Sequence, residues 1–277
     1  MVEVTNDKIQ FEDQYIHTTF YIPTLPNNQI IMICPGLKGF KSWGSFPYIA
    51  QSLADAGFSV LSFDYSLSGV VDHQAEITRL DLAEQNSISR QIQELLFLTN
   101  CLKSNKLLFK IDCSTELIIF GHSLGGGTAI LGLPKMSWVN NKLKLITWAS
   151  IATLNRWTQE AMDEWEQNGR LNLPNARTGQ DYYLGQSFLK DVKKHDTECH
   201  IINTLSRLDL PHLIIHGDQD PTVPLSQAHE LLACSSHTKT ELFIVKGADH
   251  NFGAVHPYRG TTPALELALA KTILWAT

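Results

Sequence analysis

Several whole classes of protein are excluded by what this sequence lacks. No segment approaches 18 uncharged apolar residues, so no membrane-spanning helix is expected. The five cysteines (Cys34, Cys101, Cys113, Cys199 and Cys234) are odd in number and scattered, and none falls in a CxxC or Cys/His ligand spacing. They give neither a disulfide framework nor a zinc module and fit free thiols in a reducing compartment. Asp196 and His200 lie four apart, but two ligands do not make a metal site. Neither G-x-x-x-x-G-K-[ST] nor G-x-G-x-x-G occurs, so no phosphate-cradling loop and no cofactor are expected. Positive charge is also short, with 22 Lys+Arg against 28 Asp+Glu for a net charge of −6. That balance offers no broad cationic surface for nucleic acid or an anionic membrane, and a small-molecule partner is expected instead. Met1 to Asp13 carries acids and amides where a secretory peptide would be basic and then apolar, so the expected location is the cytoplasm.

What is present is enough for one large core. With 277 residues, 43% of them hydrophobic, a folded chain buries about three quarters of the surface its unfolded form exposes. Short β-branched apolar runs alternate with helical patterns, which predicts an α/β fold with a mostly parallel sheet covered on both faces. Ile9–Phe11 and Gln14–Ile22 read as an opening antiparallel hairpin. Ile30–Cys34, Phe58–Phe63, Glu116–Phe120, Lys142–Trp148, Pro211–His216 and Thr240–Val245 read as later strands. Helices are expected over Phe46–Ala56, Arg90–Leu102, Gly126–Leu133, Ser226–Leu232 and Pro263–Trp275. Between Trp148 and Pro211 lie about 60 residues, against a usual connection of about 2 to 6. A helical cap insertion at about 152–207 of a single 1–277 domain is therefore expected. Within it, Trp157, Ala161 and Trp165 fall at steps of four, as do Leu184, Phe188 and Val192, and these stripes are read first as packing.

The strongest chemical signal is Gly121-His122-Ser123-Leu124-Gly125, set between an expected strand and an expected helix. A tight strand–turn–helix needs glycine at both flanks and holds the serine hydroxyl above the sheet. A serine hydroxyl needs a base to take its proton and a carboxylate to orient that base. His250, in Gly247-Ala248-Asp249-His250, follows the last strand and is the candidate base. Asp220, in His216-Gly217-Asp218-Gln219-Asp220-Pro221, is the favoured acid because it begins the Pro-containing return of its loop, with Asp218 open as the alternative. His122 is read as a packing residue pointing away from Ser123. Asp64 and Asp249 are read as loop-bonding carboxylates and Cys34 as a small buried hydrophobe.

With these residues in place the chain resembles the α/β-hydrolase superfamily over nearly its whole length, and within it the dienelactone-hydrolase-like and peptidase-like serine esterases. The elbow Gly121–Gly125 and the acid loop His216-Gly217-x-x-Asp220-x-x-Val223 match those groups in full. The resemblance implies Ser123, Asp220 and His250 as the catalytic residues, with the backbone N–H groups of Leu37 and Leu124 as the oxyanion hole. The first segment, Cys34-Pro35-Gly36-Leu37-Lys38-Gly39-Phe40, departs from the pattern by carrying Pro35 where these groups usually have His, and Lys38 is the alternative donor. A backbone hole does not require that histidine.

The expected function is therefore a carboxylesterase-like serine hydrolase that cleaves a small or medium, water-soluble ester through an acyl-enzyme. Thioesters and amides are alternatives within the class, and a catalytically silent binding module is the alternative outside it. The mixed charge of the cap (Arg156, Glu160, Arg170, Arg177, Asp181, Lys190) does not read as the lid of an interfacial lipase.

Overall fold

The computed structural model describes residues 1–109, 114–138, 142–174, 179–195, 197, 198, 200–235, 238 and 240–277. Cys113, Arg177, Asp196 and Cys199 lie outside the described residues. The chain opens with β1 (Val2–Phe11) and β2 (Gln14–Pro23), then β3 (Gln29–Cys34), α1 (Phe46–Asp55) and β4 (Ser59–Asp64). After α2 (Leu80–Ala83) and α3 (Ile88–Lys103) come β5 (Glu116–His122), α4 (Leu124–Gly132) and β6 (Leu143–Trp148). The excursion that follows holds α5 (Gln159–Asn168), β7 (Arg170–Asn172), β8 (Tyr183–Gly185), α6 (Gln186–Lys193) and α7 (Ile201–Leu205). The chain then returns through β9 (His212–Gly217), α8 (Leu225–Cys234), β10 (Glu241–Val245) and α9 (Pro263–Ala276). No helix among the described residues is long and apolar enough to cross a membrane.

The main sheet has eight strands in the order β1-β2-β4-β3-β5-β6-β9-β10. β1 pairs antiparallel with β2 and β2 with β4, and every other pairing is parallel. Central strands buried on both sides split their residues by the period of two that a pleat imposes. Ile30, Met32, Leu117 and Ile119 join one core cluster, with α3, α4 and the cap. Ile31, Ile33, Ile118 and Phe120 join the other, with α1 and α9.

The cap is an extension of the first cluster. Trp165, Phe188, Leu184, Val192 and Leu171 all belong to it, and Trp165 is fully buried. Asp191 of α6 docks on the first turn of α3, accepting from Ser89 N–H at 2.7 Å and Ser89 Oγ at 2.5 Å. That end of a helix has unpaired N–H groups and favours negative charge. Trp157 lies before α5 and Leu184 lies in β8, so each four-residue stripe begins outside its helix. The small antiparallel β7–β8 pair is an addition to the helical cap that the sequence pattern suggests. Its strands of three residues are too short for an alternating pattern to register.

Candidate active site

The end of β5 and the start of α4 form a turn with no room for side chains at its flanks. A Cβ on Gly121 would lie 2.5 Å from Gly126 Cα, and one on Gly125 would lie 2.3 Å from the carbonyl oxygen of Cys34. Ser123 at the apex has φ +55° and ψ −122°, a left-handed backbone that a non-glycine residue adopts only when its surroundings hold it there. They do so through Ser123 N–H, which donates to Trp148 O at 3.0 Å, and Ser123 O, which accepts from Gly126 N–H at 3.1 Å. Strand, turn and helix together lift the hydroxyl above the carboxyl end of the sheet.

The loops after β9 and β10 bring Asp220 and His250 together. His250 Nδ1 lies 2.7 Å from Asp220 Oδ2, so the ring donates Nδ1–H to the carboxylate and leaves Nε2 as an acceptor. The other oxygen of Asp220 accepts from Thr222 N–H and Val223 N–H, each at 2.8 Å. Burial opposes the charge on Asp220, but the hydrogen bonds from His216 and His250 outweigh it and hold the carboxyl well below the usual range. Asp218 faces another way. Its Oδ1 accepts Gly247 N–H at 2.6 Å and its Oδ2 lies 3.2 Å from Lys246 Nζ. Ser123 and His250 line the same cavity but are not hydrogen-bonded to each other in this conformation. Such bonds are often long before substrate binds.

Pro35–Gly44 follows β3 and lies against the elbow. Gly39 N–H donates to Gly36 O at 2.9 Å, closing a turn with Leu37 and Lys38 in the middle. A Cβ on Gly36 would be 3.0 Å from Ser123 Cβ, so this turn abuts the serine. The Leu37 N–H has no backbone acceptor among the described residues. Leu124, as the first residue of α4, likewise presents its N–H without an intrahelical partner. Asp64 accepts Lys41 N–H at 2.5 Å, and His256 Nδ1 accepts Gly44 N–H at 2.9 Å. Asp249 accepts Asn251 N–H and Gly253 N–H within its own loop.

Together these segments enclose a cavity of about 760 Å³. Leu37, Trp43, Leu154, Trp157 and Phe188 give it apolar walls, and Lys38 and Arg156 give it two cations. Lys38 Nζ donates to Leu173 O at 2.7 Å, and Arg156 donates to Thr222 O at 2.6 Å within the field of the Asp220 carboxylate.

Two histidines have more to do here than sequence reasoning assigned. His122 does not simply point away; it lines the cavity and donates Nε2–H to the His250 carbonyl at 3.1 Å. Burial, aided by the nearby His250, pulls its pKa down to about 3, so it stays neutral and braces the loop that carries His250. His216 is fully buried, with Nε2 2.8 Å from Val223 O and 3.4 Å from Asp220 Oδ2. Its place at the head of the His216-Gly217-x-x-Asp220 run was the available signal. Cys34 is fully buried and its thiol is pushed up to about 12 by burial, which keeps it unreactive.

This layered parallel sheet, with an elbow after β5 and a cap after β6, is an α/β-hydrolase fold. The BD-FAE family model, of α/β-hydrolase type, matches residues 38–234, and the chain belongs to that family. Among solved structures it is similar to Est1E from Butyrivibrio proteoclasticus with ferulic acid bound, at 16% identity and a TM-score of 0.69, covering 98% of this chain and 97% of that one. Dienelactone hydrolase from Anabaena variabilis ATCC 29413 is also similar, at 16% identity and TM-score 0.62 over 99% and 96% of the two chains. So is a monoacylglycerol lipase from Paleococcus ferrophilus, at 15% identity and TM-score 0.66 over 99% and 98%. No curated protein sequence matches.

Proposed function

We propose that this protein is a serine hydrolase of small or medium, water-soluble carboxylic esters, acting through an acyl-enzyme. The observation that carries the reading is the 2.7 Å contact between Asp220 and His250, made on the rim of the cavity that also holds Ser123 at its strained elbow. In this reading His250 Nε2 takes the Ser123 proton as Oγ attacks the ester carbonyl. The developing oxyanion accepts from Leu37 N–H and Leu124 N–H. The proton on His250 then passes to the leaving alcohol, and water repeats the sequence in reverse roles to release the acid. The esterase and lipase among its structural neighbours favour ester chemistry over other reactions of the fold. The free thiols of Cys34, Cys101 and Cys234 fit a reducing cytoplasm.

The test is a fluorophosphonate probe combined with p-nitrophenyl esters of graded chain length, a peptide amide and a thioester. Wild type should be labelled at Ser123 and should turn over an ester fastest. Ser123→Ala should lose labelling, and kcat should fall on the order of 10⁴ or more with the thermal midpoint preserved. Undiminished turnover in the Ala variant, or a label on another serine, removes Ser123 from the role. A wild type that binds esters without turnover would make the protein a silent binding module.

A further inference from the structure

Lys38 occupies a backbone position that a side chain makes costly. Its φ is +59°, at the third position of the Gly36–Gly39 turn, where glycine would sit without strain. A non-glycine residue there persists when something outside the turn holds it. Here that is the cap. Lys38 Nζ donates to Leu173 O at 2.7 Å, 135 positions away in the chain, and lies 3.5 Å from Pro174 O. It also sits 5.4 Å from the centre of the Tyr182 ring. The anchor is firm, because Tyr182 is buried and its carbonyl accepts Leu173 N–H at 2.6 Å. Burial lowers the Lys38 pKa, and carbonyl dipoles and a ring face surround its charge.

One peptide unit away from this strap is Leu37, whose N–H has no backbone acceptor among the described residues. The turn that carries it touches Ser123 through Gly36, so a small rotation of the turn would re-aim that N–H relative to the serine. Donors to a developing oxyanion act only when fixed in advance at the position the charge will take.

We propose that Lys38 is a positioning residue for the oxyanion hole: by strapping the Gly36–Gly39 turn to the cap, it fixes the aim of Leu37 N–H. The proposal rests on the serine-hydrolase reading above. It makes the cap a contributor to the tetrahedral intermediate as well as a roof over the substrate.

The experiment compares wild type with Lys38→Met, which keeps the apolar stem, and Lys38→Gly, which relaxes the backbone at φ +59°. Both should lose about tenfold or more in kcat with KM changed by less than about threefold, because the lost contact acts on the transition state. Binding of an arylboronic acid, which forms a tetrahedral adduct on the serine, should weaken by a similar factor while inhibition by the product acid stays unchanged. The proposal is overturned by a loss confined to KM, by equal weakening of boronate and product acid, or by a Gly variant as fast as wild type. Failure of wild type itself to label at Ser123 removes the underlying hydrolase reading, and the proposal with it.

Discussion

The elbow around Ser123 and the Pro35–Gly44 loop face each other across one cavity, yet they are held in place by different means. The elbow is fixed by backbone packing, with Gly121 and Gly125 too close to neighbouring main chain to carry a side chain. The opposing loop is held by side-chain tethers to distant segments: Asp64 to Lys41 N–H from 23 positions away, His256 to Gly44 N–H from 212, and the loop's own Lys38 to the cap across 135. One half of the site is rigid by construction. The other depends on side-chain tethers, in which each hydrogen bond is worth about 1 to 3 kcal/mol.

The sharpest way to break this contrast is to substitute within the backbone-held half. Gly125→Ala forces a Cβ to 2.3 Å from Cys34 O, and since that atom is main chain it cannot swing aside. A loss of about 3 kcal/mol or more in denaturant unfolding, or no soluble protein, is expected. A soluble Ala variant with an unchanged midpoint would show the elbow to be softer than its contacts imply. Next in size is Asp220, the proposed acid. Asp220→Asn keeps the shape but favours the wrong ring tautomer of His250, with an expected loss on the order of 10⁴ in kcat, whereas Asp218→Asn should cost less than about tenfold. Reversal of that order in kinetic assays would move the orienting role to Asp218.

Two milder substitutions probe the tethered half. Asp64 is buried and its pKa is pushed up to about 7, chiefly by burial, with Lys41 opposing. Between the ordinary carboxylate value of about 4 and that value, the folded protein keeps a proton that the unfolded chain has lost. Its contribution to stability should therefore fall as pH rises through this window and stay level above it. Asp64→Asn retains an acceptor for Lys41 N–H and removes the titration, so the thermal midpoint of wild type minus that of the variant should decline from pH 4 to 7. A flat difference would mean that Asp64 titrates alike in both states. Asp220, held low, acts in the opposite sense and at lower pH. His256→Phe should be the mildest. It keeps a ring against Trp43 but loses the contacts to Gly44 N–H and to Ala75 O, for about 1 to 2 kcal/mol of stability and a loss in kcat/KM of less than about tenfold.

The same contrast explains what could be read from the sequence. The elbow, the acid loop and the base loop were legible because each is encoded within a few residues, by glycines that a turn demands and by polar residues that follow a strand. The tethers were not, since no local pattern links Lys38 to Leu173 or His256 to Gly44. Strand β1 extends back to Val2, well beyond the expected start at Ile9, because its Glu3, Asn6 and Asp7 are exposed on the sheet edge and suppress the apolar signal while β2 supplies the pairing. The bracing contact of His122 has no local signal either, because nothing in the sequence shows which carbonyl its ring meets.

Strands β3 and β5 are direct neighbours, and Cys34 pairs with Gly121 on the same rung. The loop bearing Leu37 and the elbow bearing Ser123 thus start from a common level, and the spacing between amide and hydroxyl is set by counting residues. Deleting one residue from within β3 would slide everything beyond it by about 3.3 Å and turn each side chain to the opposite face. Lineages related to this chain should therefore vary in length after β6, where the cap departs, and hold β3 and β5 to a fixed number of residues.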